Sequence, residues 1–242
     1  MLQPATVRRL MPAAPVPVAI RLPDGLVLRG HEWPVDGPAV VFLHDYGDDL
    51  DAWGPIAARV ASHGFRVISV ELRGHGLSDG DADPGLLGQD LPALLGETAA
   101  SFGPVALVAY GRVTEALLFV DKDQGAPVQV MISPLPDAPQ EIDWRTTRSA
   151  MRLVVKGALN DEVEHQVDFI YPRMRGPKLQ VSGASDAAGP PLLEDQPQLF
   201  EHVVTFLRRY LTGHHLAWIA DHTDQITEAR EERLAAEAGT DA

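Results

Sequence analysis

Short apolar segments alternate with longer amphipathic segments from about residue 39 onward. The apolar segments are rich in valine, isoleucine and leucine, which is typical of strands buried on both faces of a parallel sheet. They span residues 39–43, 66–70, 105–109, 128–132, 153–155 and 179–181. The alternation predicts βαβ units, and therefore an α/β fold with a mostly parallel sheet flanked by helices.

Two further strands are predicted before this region. Residues 16–22 and 26–33 flank Pro23-Asp24-Gly25, and proline, aspartate and glycine are favoured in tight turns. Such a pattern predicts a hairpin of two antiparallel strands. Together with the six segments above, it predicts a twisted sheet of about eight strands whose first strands are antiparallel.

Apolar residues recur at helical spacing in two places. The first series is Trp53, Ile56, Ala57, Val60 and Ala61, and the second is Leu199, Phe200, Val203, Val204, Phe206, Leu207, Tyr210 and Leu211. Each series predicts a helix that packs on the core. After Gly213 the chain is polar. We therefore expect a single domain over residues 1–213 and a polar helical tail over residues 214–242, which docks on the domain or on a partner.

Composition narrows the possible classes of function. Hydrophobic residues make up 45% of the chain, which allows a sizeable core, and the formal net charge is −14. This charge would repel nucleic acids and anionic membranes, so we expect neither as a partner. The absence of cysteine excludes disulfides and a thiol nucleophile. Prolines interrupt residues 1–20 and no stretch reaches the length of a membrane span, so we expect a cytoplasmic protein.

Glycine-containing motifs follow two of the predicted strands. The strand at 39–43 is followed by His44-Asp45-Tyr46-Gly47, and the strand at 66–70 by Glu71-Leu72-Arg73-Gly74-His75-Gly76-Leu77-Ser78. In order and spacing these motifs resemble the α/β-hydrolase family, in which one strand ends in an HG-type oxyanion loop and the next in D-x-R-G-x-G-x-S. The resemblance covers nearly the whole chain. It implies the α/β-hydrolase fold, with Arg73 and His75 bracing the loops.

The resemblance also implies where chemistry would occur. A backbone N–H near Asp45 occupies the position from which hydrolases donate one hydrogen bond to the oxyanion. His44, Asp45 and Tyr46 are therefore the oxyanion-loop equivalents, and Arg112, directly after the nucleophile position, joins them.

The nucleophile position itself holds glycine. Hydrolases of this family place a serine in G-x-S-x-G at a strand-to-helix turn, where this chain has Ala109-Tyr110-Gly111-Arg112-Val113. Without a side chain at Gly111, no acyl-enzyme can form at this position. The loss of both flanking glycines indicates that the turn has relaxed or changed shape.

Of the other two triad members, only the acid remains. Residues 153–161 resemble the family's strand followed by a loop that contains a glycine and an aspartate, which places Asp161 in the acid position. Asp186 stands where related enzymes carry the histidine, and a carboxylate is a poor base near neutral pH. We therefore interpret the chain as a catalytically inactive pseudo-hydrolase that acts in binding, assembly or regulation.

Enzymatic alternatives remain open. A divergent, esterase-like hydrolase could use the same cleft without a serine, or with a divalent cation whose bound water replaces the serine. The candidate ligands for such a cation are His44, Asp45, Asp161 and Asp186. Their spacing supports no metal site, and we predict no cofactor. Tyr46 or Tyr110 could instead act as the acid of a lyase or isomerase.

The vacated pocket has its own predicted occupants. Arg112 could pair with Asp161 and Asp186 and fill the pocket, because all three follow strand ends.

The connection between the strands at 128–132 and 153–155 is short, with three prolines and then a stretch at 144–151 that predicts a short helix. We therefore expect no large cap domain, and a cleft that is open to a small molecule or covered by a protein partner or a second copy of the chain.

Overall fold

An eight-stranded sheet runs through the structure, a computed structural model that describes residues 14–223 and 227–228. Its strands are β1 (Val16–Arg21), β2 (Val27–Trp33), β3 (Ala39–Leu43), β4 (Arg66–Val70), β5 (Ala106–Gly111), β6 (Val128–Pro134), β7 (Met151–Gly157) and β8 (Lys178–Gly183). Their order across the sheet is β1-β2-β4-β3-β5-β6-β7-β8. Strand β2 is antiparallel to β1 and to β4, and all later pairs are parallel. The predicted α/β fold and its antiparallel start are confirmed.

Helices cover both faces of this sheet. They are α1 (Ile56–Ala61), α2 (Leu87–Phe102), α3 (Asp161–Ile170), α4 (Pro190–Asp195) and α5 (Pro197–Asp221). Helices α2 and α3 pack on one face, and α1, α4 and α5 pack on the other. Successive side chains of a strand point to opposite faces, so Val41 of β3 lies in the first core and Phe42 in the second. This two-sided burial explains why the central strands are continuous apolar runs.

Helix α5 begins and packs as the apolar spacing predicts. The side chains on its core-facing side are buried, namely Leu199, Phe200, Val203, Val204, Phe206, Leu207 and Leu211. The helix is 25 residues long and passes through Gly213 to Asp221, so the predicted boundary at residue 213 falls inside it. Near its end, Trp218 packs directly on Gly103, which follows α2. Residues 224–226 and 229–242 of the predicted tail lie outside the described residues, and the docking of the tail stays a prediction.

The connection between β6 and β7 differs from its prediction. Residues 135–150, all of which the structure describes, form neither a helix nor a strand, so the short helix predicted over 144–151 is wrong. The Asp143 carboxylate accepts from the N–H of Arg145 at 3.1 Å, which makes a local turn. The N–H of Arg148 donates to the carbonyl of Leu118 at 2.7 Å. Hydrogen bonds to neighbouring segments therefore replace those of a helix.

Among the helices that the structure describes, none combines the length and the apolar character needed to span a bilayer.

Candidate functional site

Four loops meet at the edge of the sheet where the parallel strands end. The loop after β3 carries Asp45, β5 ends at Gly111, and the segments after β7 and β8 carry Asp161 and Asp186. Ligands of open α/β sheets bind at this edge, outside the carboxyl ends of the strands. The topology therefore brings the sequence-predicted residues to one side of the molecule, and their side chains decide what forms there.

A sharp strand-to-helix turn is present at Gly111. This residue has φ 65° and ψ −139°, and a 3-10 helix, Arg112–Phe119, follows it directly. Such a backbone conformation is strained for any residue with a side chain. The pairing of β5 with β6 shifts register at Tyr110 and Gly111, and the carbonyl of Gly111 accepts from the N–H of Leu135 at 3.1 Å and from the Thr114 hydroxyl at 2.6 Å. The turn is thus still sharp, although the flanking glycines are lost.

The carboxylate of Asp45 fills the space beside this turn. Its Oδ1 accepts from the backbone N–H groups of Tyr46 and Arg112, each at 2.9 Å, and from Val113 at 3.4 Å. Its Oδ2 lies 3.7 Å from Nε of Arg112. A Cβ built on Gly111 would lie 2.1 Å from the same Oδ2. Converging N–H groups that hold one oxygen are the arrangement of an oxyanion site, and here the oxygen belongs to the protein itself.

Arg112 turns toward the β3 loop. Its guanidinium donates to the carbonyl of Tyr46 at 2.8 Å, and its only ion pair among the described residues is with Asp45. The hypothesis that Arg112 pairs with Asp161 and Asp186 is therefore wrong. Its backbone N–H is already bound to Asp45, which keeps the start of the 3-10 helix, and with it the guanidinium, beside the β3 loop.

The carboxylates of Asp161 and Asp186 are exposed to solvent. Asp161 is the first residue of α3, whose N-terminus is capped by Asn160 through a hydrogen bond from the N–H of Val163 at 3.0 Å. The Asn160 amide donates to the carbonyl of Asp186 at 2.9 Å. The two loops are therefore joined through an asparagine and a backbone carbonyl, and the two carboxylates remain available to solvent.

Two histidines are used to brace the loops. Nε2 of the buried His44 accepts from the N–H of Leu72 at 3.1 Å, so its Nδ1 carries the proton and donates to the carbonyl of Asp45 at 2.8 Å. His75 makes the same pair of bonds with the N–H of Gly47 and the carbonyl of Arg73. Burial lowers the pKa of His44. Both ring nitrogens of each histidine are occupied, so neither ring has a nitrogen free to act as a base.

Arg73 braces the same loops from the other side. Its guanidinium donates to both carboxylate oxygens of Asp90, at 2.8 and 2.6 Å, and to Asp24 at 3.0 Å. Hydrogen bonds from these two carboxylates raise the pKa of Arg73 above its already high value. A two-point arginine–carboxylate pair fixes geometry as well as charge. Sequence reasoning missed Asp90, although a carboxylate on the apolar face of α2 was a signal for a buried partner.

The two tyrosines of the site stay protonated. Tyr110 donates to Oδ2 of Asp48 at 2.6 Å and packs edge-on against Trp53. Burial and this hydrogen bond raise the pKa of Tyr110. Burial also raises the pKa of Tyr46 to about 12. The Tyr110 hydroxyl is therefore committed to a partner that sequence reasoning did not identify, and Tyr46 is a neutral phenol.

The residues proposed as cation ligands do not form a metal site. In the described part of the chain, no group of three or more histidine, aspartate or glutamate side chains is placed to hold a metal ion. His44 has both nitrogens bonded and Asp45 is held by backbone N–H groups, while Asp161 and Asp186 lie exposed. The metal-assisted alternative thus lacks a ligand set.

Comparison by sequence finds one short likeness. No protein-family model matches the chain. A segment of 57 residues is 42% identical to the non-heme chloroperoxidase of Streptomyces lividans and makes up 23% of this chain. The match spans 21% of the length of that curated relative, so it says nothing about a whole-protein activity.

Comparison by structure finds broad likenesses. The esterase Pf2001 of Pyrococcus furiosus aligns with a TM-score of 0.63 at 17% identity, over 82% of this chain and 93% of that one. The alpha/beta hydrolase GrgF of Penicillium sp. sh18 aligns at 0.66 and 17% identity, over 82% and 99%. XC6422 of Xanthomonas campestris, described as a serine hydrolase without a lid, aligns at 0.64 and 18% identity, over 84% and 97%. At such identities the likeness establishes a shared fold.

Proposed function

The chain has the α/β-hydrolase fold, and on that basis we propose that it is a catalytically inactive, hydrolase-like protein that acts by binding, in the cytoplasm. The observation that carries the proposal is the position of the Asp45 carboxylate. It accepts the N–H groups of Tyr46 and Arg112 and lies where a side chain at Gly111 would have to be. The site thus holds its own negative charge where an ester hydrolase develops one on its substrate.

The lack of a base supports the same proposal. The position predicted for the triad histidine holds Asp186, whose carboxylate is exposed and keeps an aqueous environment. The two imidazoles near the turn, His44 and His75, have both ring nitrogens in hydrogen bonds. Within the described residues, the nucleophile, base and oxyanion donors are therefore lost or occupied together, and this supports a site that binds without reacting.

The proposal is tested by an assay for ester hydrolysis. The purified chain is incubated with p-nitrophenyl acetate, butyrate and octanoate, beside Asp45→Ala and Asp161→Asn variants and an active esterase as a positive control. Because no nucleophile is paired with a base, we expect wild-type rates equal to those of buffer. Circular dichroism of each sample shows that the fold is intact.

A matched variant separates specific from unspecific turnover. Asp168 is also exposed on α3 but points to no predicted catalytic position, so Asp168→Asn serves as the control for Asp161→Asn. Wild-type turnover that Asp161→Asn or Asp45→Ala abolishes, and that Asp168→Asn preserves, would show that the protein is an enzyme.

A second candidate function, divergent ester hydrolysis, is favoured by one feature of the same carboxylate. Oδ2 of Asp45 accepts no backbone hydrogen bond within the described residues and occupies the place of the missing nucleophile. Attack by Oδ2 on an ester would form an acyl-aspartyl anhydride and break the ester C–O bond, and the leaving alkoxide would take a proton from water. Water would then hydrolyse the anhydride and restore the Asp45 carboxylate. This candidate requires turnover in the wild type that is lost in Asp45→Asn, which keeps the shape of the side chain.

A further inference from the structure

A cleft of about 420 Å³ opens beside Tyr46 and Arg112, a size within the usual range for small-molecule sites. The β3 loop, the start of α2, the 3-10 helix after Gly111 and the loop after β6 form its walls. The residues that matter for recognition are Tyr46, Arg112, Glu115, Phe119 and Asp137. The cleft therefore combines aromatic rings, one cation and two carboxylates.

The cation of this cleft already has two protein partners. Nε of Arg112 lies 3.7 Å from Asp45 Oδ2, and the guanidinium donates to the carbonyl of Tyr46 at 2.8 Å. Its charge is thus partly offset by Asp45, and one hydrogen-bonding edge is taken up by a protein carbonyl. An anionic ligand would have to compete with both contacts.

The two carboxylates, in contrast, have no partner among the residues that the structure describes. Glu115 is about half buried, and within the part of the chain that the structure describes neither Glu115 nor Asp137 makes an ion pair or a side-chain hydrogen bond. Burial raises the pKa of Glu115, and the neighbouring charge of Asp137 raises it further. Two like charges that face one cleft and make no ion pair with a described cation favour binding of a further cation there.

The aromatic rings favour the same kind of ligand. Tyr46 and Phe119 line the same cleft as the two carboxylates, and Leu87 adds an apolar surface. A cation next to an aromatic face is attracted by the ring as well as by a carboxylate. Inorganic cations gain little from apolar walls, whereas an alkyl group attached to the cation would be buried against them.

We propose that this cleft binds a small organic ammonium ion, whose charged nitrogen lies between Glu115 and Asp137 and whose alkyl part lies against Tyr46, Phe119 and Leu87. The inference rests on the proposed function as a non-catalytic binding protein and names its ligand class. Carboxylate and phosphate ligands are disfavoured by the same two side chains.

Three six-carbon probes of equal length test the charge preference. The affinity of the full chain for hexylammonium, 1-hexanol and hexanoate is measured by isothermal titration calorimetry at low salt. The ammonium ion is expected to bind at least tenfold more tightly than the alcohol, and hexanoate more weakly still, because only the ammonium pairs with the carboxylates.

Substitutions place the binding in this cleft. Glu115→Gln keeps the shape of the side chain and is expected to weaken hexylammonium binding about tenfold. Phe119→Leu is expected to weaken it about threefold. Glu97→Gln removes an exposed carboxylate of α2 that lies outside the cleft, and should leave the affinity unchanged. Thermal unfolding of each variant shows that it is folded.

The outcomes separate this inference from the proposed function. Equal binding of ammonium and alcohol, no binding of the ammonium, or an unchanged affinity in Glu115→Gln would each overturn the ammonium proposal. Ester turnover that depends on Asp45 or Asp161 would overturn the non-catalytic function instead, whatever the titrations give.

Discussion

The carboxylate of Asp45 occupies the space that a side chain at position 111 would need, because a Cβ on Gly111 would lie 2.1 Å from Oδ2 of Asp45 and 2.4 Å from its carboxyl carbon. Carbon and oxygen atoms that are not bonded do not approach so closely. The glycine and the aspartate are therefore structurally linked, because either the carboxylate occupies the turn or a side chain at 111 does.

Gly111→Ser is expected to destabilise the protein without creating an esterase. The positive φ alone costs a serine about 1–3 kcal/mol, and the carboxylate must move as well. Urea unfolding should show a smaller loss when Gly111→Ser is made in an Asp45→Gly background, with a coupling free energy of about 1 kcal/mol or more. Gly96→Ser, on α2 with nothing within 4 Å of its Cβ, is the control. Equal costs in both backgrounds would show that the two positions are independent.

Asp45→Ala is expected to lower the free energy of unfolding by about 2 kcal/mol, because the N–H groups of Tyr46 and Arg112 lose their acceptor. Asp45→Asn keeps one acceptor oxygen, so it should cost about half as much. Both values come from urea denaturation. Asp123→Ala removes a carboxylate whose side chain is 76% exposed, and should change stability little. A loss in Asp45→Ala no larger than that of the control would show that these hydrogen bonds contribute little to stability.

The stability of the protein should fall between pH 7.5 and 5.5, in part through His44. Burial lowers the pKa of His44 below its ordinary value of 6.5, so the unfolded chain takes up a proton that the folded chain does not. The contribution is present above the ordinary pKa of 6.5 and is lost as the pH falls toward the folded pKa. The measurement is urea unfolding at both pH values.

Variants isolate this contribution. His44→Gln cannot titrate, so its unfolding free energy should change less over the same pH window, whereas His165→Gln, on the exposed side of α3, should keep the wild-type slope. An unchanged slope in His44→Gln would assign the pH dependence to other groups.

Arg152→Met is expected to destabilise the chain by about 3 kcal/mol. Arg152 is fully buried, and its guanidinium donates to Gln129 and to the carbonyls of Leu117, Arg148 and Arg175. Burial lowers the pKa of Arg152 to about 10, so it remains charged at neutral pH.

The control for this substitution is Arg145→Met, because the Arg145 side chain is 90% exposed and its removal should cost less than about 0.5 kcal/mol. Thermal or urea unfolding compares the two. Similar losses in both variants would show that the carbonyls around Arg152 find other donors, such as water.

The strands were predictable because each is a short apolar run between polar loops. The connection after β6 was not, since the spacing around Trp144 allows a helix, while the structure satisfies its backbone through Leu118 and Asp143. The contact between this segment and the buried guanidinium of Arg152 depends on tertiary packing, which the local sequence pattern does not specify.

The site was predictable in its residue types but not in its contacts. The glycine at 111 and the aspartate at 186 could be read directly from the motifs. The direction of the Arg112 side chain could not, because proximity of strand ends does not determine which of several carboxylates a flexible guanidinium meets. The orientation of the Asp45 carboxylate toward the N–H groups also depends on the conformation of the loop. An aspartate in the sequence does not by itself predict that conformation.

Helix α5 covers a face of the sheet whose strands come before it in the chain. Val130 of β6 and Val155 of β7 share a core with Phe200 of α5, and all three are buried. During synthesis both strands leave the ribosome before this helix exists, so the nascent chain exposes part of an apolar sheet face to solvent or to chaperones. The sheet face is fully covered only when α5, the last of the described helices on it, has been synthesised.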